Sequence, residues 1–343
     1  MKRLNIAALF CGMLACFATA DLAAQESVAD FYHNHTLHLL VGYGSGSGYD
    51  VYARVLAKQF SRHLAGNPTL VVDNMPGAGG LTMMNNVSNG ALRDGSIIAM
   101  GVRELFLEPF FGNELARYDP RTITWIGSMT RDVTLCFTWH GSGPGSLSAA
   151  RQAPVLVGST GFSTDTYFLP QLLNLMLGTK FKVILGYPDT GSVGIAMEHG
   201  ELQGMCGVTY GTIKSAHPEW LAERKIDILL QFAFERMPDL PDVPSLADFV
   251  NDDVTRSTFE LASGTADMAK PVIGPPDIPP DRVAALRQAF VETMQDPLFM
   301  EDAKRTGLEI APIAAATLQA DLTALYKTPR AIVQNVIAIR DKQ

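Results

Sequence analysis

The stretch HLLVGYGSGSGYDVYARVLAKQF, residues 38–60, decides how the chain is to be read. Residues 38–43 form a short β-rich run, and Gly44-Ser45-Gly46-Ser47-Gly48 ends it. Beyond the glycines, Val51, Tyr52, Val55, Leu56, Gln59, Phe60 and Leu64 recur at the spacing of one helix face. A strand turning through a glycine loop into a helix opens a βαβ unit. The unit continues with a strand over 70–72 and the turn Asn74-Met75-Pro76-Gly77-Ala78-Gly79-Gly80. A short helix and a third strand over 96–101, introduced by Arg93-Asp94-Gly95, complete it.

The same phrase recurs after Pro154. Residues 155–157 read as a strand, Gly158-Ser159-Thr160-Gly161-Phe162-Ser163-Thr164 as the loop, and Tyr167, Phe168, Leu172, Leu175 and Met176 as a helix face. A strand over 181–185, the turn Gly186-Tyr187-Pro188-Asp189-Thr190-Gly191-Ser192, a helix stopped by Gly200 and a strand over 205–208 follow. Gly48 and Gly77 stand 29 positions apart, and Gly161 and Gly191 stand 30 apart. Equal stride predicts an α/β protein with two similar doubly wound domains around a cleft. The domains expected are 25–133 with 241–343, and 134–240, with residues 125–140 and 226–234 placed to cross between them. Pro279-Pro280-Asp281 starts a helix, residues 308–310 read as a strand, and 317–326 and 330–339 as closing helices.

Residues 1–24 read as a secretory signal peptide. Lys2 and Arg3 precede an apolar run to Phe17, and small residues offer cleavage after Ala20 or Ala24. The mature protein is therefore expected to be periplasmic. It keeps only Cys136 and Cys206, which in an oxidising compartment can either bridge or remain two buried thiols. The net charge of −8, with 27 Lys+Arg against 35 Asp+Glu, excludes a nucleic-acid partner for want of a basic stripe.

Each glycine loop stands where a strand's carboxyl end meets a helix N-terminus, the place where open α/β sheets bind ligands. Unpaired helical N–H groups and the positive dipole end favour an anion there. A nucleotide loop is not spelled: no lysine lies in or beside either loop, and Tyr49 stands at the third glycine position of G-x-G-x-x-G. Ser47-Gly48-Tyr49-Asp50 fits a capping box, which makes Asp50 a loop organiser, the alternative being a ligand for an amino group. Arg103 follows the third strand at the same edge and is either a carboxylate clamp or a salt-bridge partner of Glu104 or Glu108. Tyr43, Tyr49, Phe162 and Tyr187 either wall the pocket or belong to the core. His33, His35 and His38 have metal-like spacing, but no Cys or Glu completes a site, so neither metal nor cofactor is expected.

The ordered set of loops closely resembles the TctC/Bug family, the extracytoplasmic receptors of tripartite tricarboxylate transporters. Val41-Gly42-Tyr43-Gly44-Ser45-Gly46-Ser47-Gly48-Tyr49-Asp50 and Val72-Asp73-Asn74-Met75-Pro76-Gly77-Ala78-Gly79-Gly80 carry it first. It continues through Trp125-Ile126-Gly127-Ser128, Gly186-Tyr187-Pro188 and Leu240-Pro241-Asp242-Val243-Pro244. The resemblance implies a type II periplasmic binding protein, a Venus flytrap that is no enzyme. It would capture a small organic carboxylate and hand it to the permease subunits of the transporter. A monomer without cofactor is expected. Carried over, the ligand positions are Tyr43, Gly44, Ser45, Gly46, Ser47, Tyr49 and Asp50; Ser159, Thr160, Gly161, Ser163 and Thr164; and Tyr187, Asp189 and Thr190, with Arg103 added from its edge position. Asp189 stands where many members have glycine, which favours a monocarboxylate or an amino-bearing acid over citrate. Two other readings remain: a sensing module for a receptor kinase, and a secreted hydrolase using Ser45, Ser47 or Ser159.

Overall fold

A computed structural model describes residues 26–340; the signal-peptide reading of 1–24 lies outside them. The chain first builds β1 (Leu37–Val41), β2 (Leu70–Asn74), β3 (Ile97–Met100) and β4 (Thr124–Ser128). Next come β5 (Thr134–Trp139), β6 (Val155–Gly158), β7 (Phe181–Ile184), β8 (Gly204–Thr209) and β9 (Ile226–Phe232). The series ends with β10 (Pro271–Gly274) and β11 (Ile313–Ala314). They form two sheets, ordered β11-β4-β10-β3-β1-β2 and β7-β6-β8-β5-β9.

The internal likeness expected from the glycine stride is present in the strand order. In each sheet a central strand, β1 or β6, pairs in parallel with the two strands that follow it in sequence. An antiparallel strand, β10 or β5, then borders the third of these and is itself flanked by another. Of these two antiparallel strands, β5 opens the second lobe's stretch of chain and β10 comes well after that stretch ends. The chain therefore crosses between lobes at residues 129–133 and returns before β10.

Helix Gly48–His63 lies on the first sheet because its apolar face, Tyr52, Val55, Leu56 and Phe60, is wholly buried. It packs beside helix Pro280–Gln295, whose Phe290 ring covers Gly127 so closely that a Cβ there would stand 2.3 Å away. On the second sheet, helix Asp165–Leu177 buries Phe168, Leu169, Leu172 and Leu173. Helices Asp253–Ser263 and Arg330–Arg340, late in sequence, pack together, and the latter also reaches helix Asp165–Leu177 of the second lobe. One apolar cluster runs through both lobes as a result.

The strand expected over 308–310 does not form. Gly307 (φ +69°) turns the chain out of helix Pro297–Arg305, and Pro312 has no N–H to give a ladder. Only Ala311 N reaches the edge of β4, at Met129 O, before Ile313 and Ala314 pair with it. Cys136 and Cys206 are register partners on β5 and β8 and are joined by a disulfide.

Candidate functional site

The first loop is organised from within. Ser47 caps helix Gly48–His63, its Oγ accepting from Asp50 N at 3.3 Å. The Asp50 carboxylate accepts from Gly46 N (2.8 Å), Arg54 Nε (2.8 Å) and Asn74 Nδ2 (2.9 Å). Burial by itself raises its pKa, but the hydrogen bonds from Arg54, Gly46 and Asn74 prevail and hold it below the ordinary 3.8. Asp50 is thus turned inward to the loop, and Tyr43 and Tyr49 stack with centroids 5.3 Å apart beside it. Burial pushes both phenols well above their usual range.

The second loop is gathered on Thr166. Its Oγ1 lies 3.1 Å from Ser159 Oγ, 2.6 Å from Thr164 Oγ1, and accepts from Thr160 N at 3.1 Å. Gly207 (φ +89°) lets β8 press against this helix start, since a Cβ there would stand 2.4 Å from Thr166 N.

The carboxyl edges of the two sheets face each other and meet. A Cβ on Gly48 would lie 2.8 Å from Thr212 Oγ1 of the opposite lobe, and one on Gly79 would lie 2.5 Å from Thr164 Cγ2. Between them is a cavity with about 500 Å³ of empty space, part of it open to solvent. Of the residues expected from sequence, Tyr43, Ser47, Tyr49, Arg103, Thr160, Thr164 and Thr190 line it. Gly48, Glu104, Thr166, Gly207, Val208, Thr209, Thr212 and Lys270 complete the wall.

Two cations stand at this wall. Arg103 is 3% exposed, and its Nη2 donates to Asp165 Oδ2 at 2.6 Å and to Thr134 Oγ1, both in the second lobe. Burial works against its charge, and Asp165, Glu104, Tyr49 and Asp132 together more than restore it. The sequence offered Glu104 or Glu108 as ion-pair partners; the partner found is Asp165, because the cleft brings its helix start against the β3 edge. Lys270, immediately before β10, is 1% exposed. Burial draws its pKa down to about 8, opposed by Asp132, assisted by Arg103 and opposed again by Glu104.

Other expected positions lie around the cavity without lining it. Ser45 and Gly46 are exposed at the loop tip, Gly44 is half-buried, and a Cβ on it would stand 3.6 Å from Asp189 Oδ2. Ser159 is buried beneath the wall, and Gly161 lies against Gly79, its Cβ position 3.8 Å from Gly79 N. Ser163 accepts from Asn113 Nδ2 and lines an adjoining hollow of about 360 Å³ with Glu104 and Glu108. Tyr187 is half-buried against the second lobe's core. Asp189 is the N-cap of helix Thr190–Glu198, its Oδ1 accepting from Ser192 N and Oγ, so the acid at the cavity wall is Glu104. Phe162 is 57% exposed, edge-on to Tyr167.

The three N-terminal histidines do not converge: His38 pairs with Asp73, and His35 with Phe31 O. Among the described residues the group with metal-like convergence is Glu198, His217 and Glu219, at the far end of helix Thr190–Glu198. Lys270 and Thr212 escaped the sequence reading. Thr209 and Thr212 carried a weak local signal, a cap after a strand, whereas Lys270 had none, being far from either loop in sequence.

Solved structures share this architecture. The periplasmic binding protein BugD covers 89% of this chain and 98% of its own, with TM-score 0.69 and 20% identity. MatC from Rhodopseudomonas palustris with bound malate covers 90% and 99%, with TM-score 0.67 and 19% identity. Rpa4515 of R. palustris with adipate covers 88% and 97%, with TM-score 0.67 and 18% identity. The fold is therefore the two-domain periplasmic binding-protein fold. Residues 52–335 match the family described as the tripartite tricarboxylate transporter family receptor, TctC, and the chain belongs to that family.

Proposed function

We propose that this receptor captures a small organic carboxylate in the cleft between its sheets and delivers it to the permease subunits of a tripartite tricarboxylate transporter. The family consists of receptors, so binding rather than catalysis is asked of the site. The observation that carries the reading is the cavity itself: helix starts from both lobes and two buried cations, Arg103 and Lys270, converge on one cleft between the sheets. The solved relatives holding malate and adipate support it.

The charge inventory bears on which acid. Three carboxylates, Glu104, Asp132 and Asp165, stand close to the two cations. A tricarboxylate would bring three further negative charges into this cleft, whereas a monocarboxylate or an amino-bearing acid brings at most one net. The ligand is therefore a mono- or amino-bearing carboxylic acid in preference to citrate. A thermal-shift panel of propionate, benzoate, L-lactate, L-glutamate, succinate and citrate tests both statements. At a hundredfold excess over Kd a true ligand stabilises by about 2.7 kcal/mol. Shifts from at least one of the first four, with none from citrate, are expected. A panel without shifts would sink the carboxylate reading, and a shift from citrate alone would sink the preference.

A further inference from the structure

Lys270 is held in an unusual way for a buried ammonium. Its Nζ carries three donors, yet among the described residues it makes no hydrogen bond. The nearest carboxylate oxygen, Asp132 Oδ2, is 4.0 Å away and is itself without a hydrogen-bond partner, Oδ1 being taken by Gly211 N. The charge instead rests over two rings, 4.9 Å from the centroid of Tyr49 and 5.1 Å from that of Tyr52. Buried polar groups are nearly always hydrogen-bonded, and an ammonium with three open donors is expensive to keep in a closed interior. The direction left open to it is the cavity, whose wall it forms.

We infer that the Lys270 ammonium binds the ligand's carboxylate directly, and that it is the residue that sets the receptor's requirement for an anionic group. The inference rests on the carboxylate reading of the cleft. Arg103 does not compete for this role through its Nη2, which is committed to Asp165 and Thr134. Threonine hydroxyls accommodate a neutral polar ligand as readily as an acid, and helix starts offer an anion only partial charges; an ammonium with no hydrogen bond of its own demands an anionic partner. Asp132 behind Lys270 keeps it charged without satisfying it.

A consequence distinguishes this role from a structural one. With its pKa near 8 in the free receptor, Lys270 is partly neutral in mildly alkaline solution, and a bound carboxylate raises that pKa. Binding then takes up a proton. Among the groups facing Lys270, Arg103 stays charged and Tyr49 and Tyr52 have raised pKa values; the remaining two are the carboxylates of Asp132 and Glu104.

Isothermal calorimetry with each panel acid that raises the melting temperature, in two buffers of different ionisation enthalpy, measures the uptake. About half a proton per ligand is expected at pH 8 and close to none at pH 6, with affinity falling about tenfold from pH 8.5 to 9.5. Lys270→Met is expected to weaken binding about tenfold to a hundredfold and to abolish the uptake. Lys270→Met combined with Asp132→Asn leaves no lone buried charge, so a folding defect of the single variant does not hide the result. If the acids bind wild type without proton uptake and bind the variants within about twofold, the assignment of Lys270 falls while the carboxylate reading stands. If no acid binds wild type, the carboxylate reading falls and takes this assignment with it.

Discussion

Arg103 Nη2 donates to Asp165 Oδ2 at 2.6 Å, joining the edge of the first sheet to the first turn of helix Asp165–Leu177 across the cleft. The side chains are 3% and 12% exposed. In a fixed interior, removing one partner of such a pair costs about 3–5 kcal/mol. Here the two partners belong to separate lobes, so opening the cleft hydrates an orphaned Arg103 and relieves part of that cost. Asp165→Asn is expected to shift the free receptor toward an open form, with a larger radius of gyration in solution scattering and a stability loss below about 3 kcal/mol. Unchanged scattering and melting would contradict a latch at this position.

Gly48 tests closure from the opposite direction. Its φ is not positive, so alanine suits the helix start, yet its Cβ would stand 2.8 Å from Thr212 Oγ1 across the cleft. Gly48→Ala is therefore expected to leave apo stability unchanged or slightly raised while lowering affinity for the bound acid several-fold. Equal affinity in calorimetry would show that Thr212 yields and that Gly48 is not needed for close approach.

Asp50 separates loop architecture from ligand contact. Its carboxylate is spent on Gly46, Arg54 and Asn74, so Asp50→Asn should lower stability by about 1–3 kcal/mol at pH 7 and leave acid affinity within about twofold. Its folded pKa is depressed below the ordinary 3.8. The stabilisation it gives is thus complete above about pH 5 and is lost as pH falls through the folded value. Denaturation curves of wild type and Asp50→Asn should accordingly converge toward pH 2. A gap that stays constant with pH would rule out a linked carboxylate.

The Cys136–Cys206 bridge closes a separation of 70 residues that contains the second lobe's β6, β7 and the start of β8. Chain-entropy arguments put its contribution near 4 kcal/mol. Replacing both cysteines by alanine should lower the melting temperature clearly, and unreduced protein should show no free thiol by mass spectrometry. Two titratable thiols in denatured, unreduced protein would remove this account.

Local chemistry made half of this molecule legible in its residue order. The glycine loops at 44–48 and 158–161, each between a short β-rich run and a period-3.6 run, specify strand, turn and helix within a few residues of one another. The Ser47 cap and the inward role of Asp50 follow from contacts three and four residues long. The stride of the two units announced two similar domains, though not the order of their strands. By contrast, the partner of Arg103 is 62 residues away, and Lys270 reaches the cavity only because β10 is inserted beside β3 after the chain has completed the second lobe. The failed strand over 308–310 has a local origin instead, Gly307 turning the chain and Pro312 withholding an N–H before Ile313 and Ala314 pair with β4. Periodicity and capping report interactions within a turn or two of chain. Which charges meet in the cleft depends on strand order and on the crossings between lobes, and these exist only once the sheets have assembled.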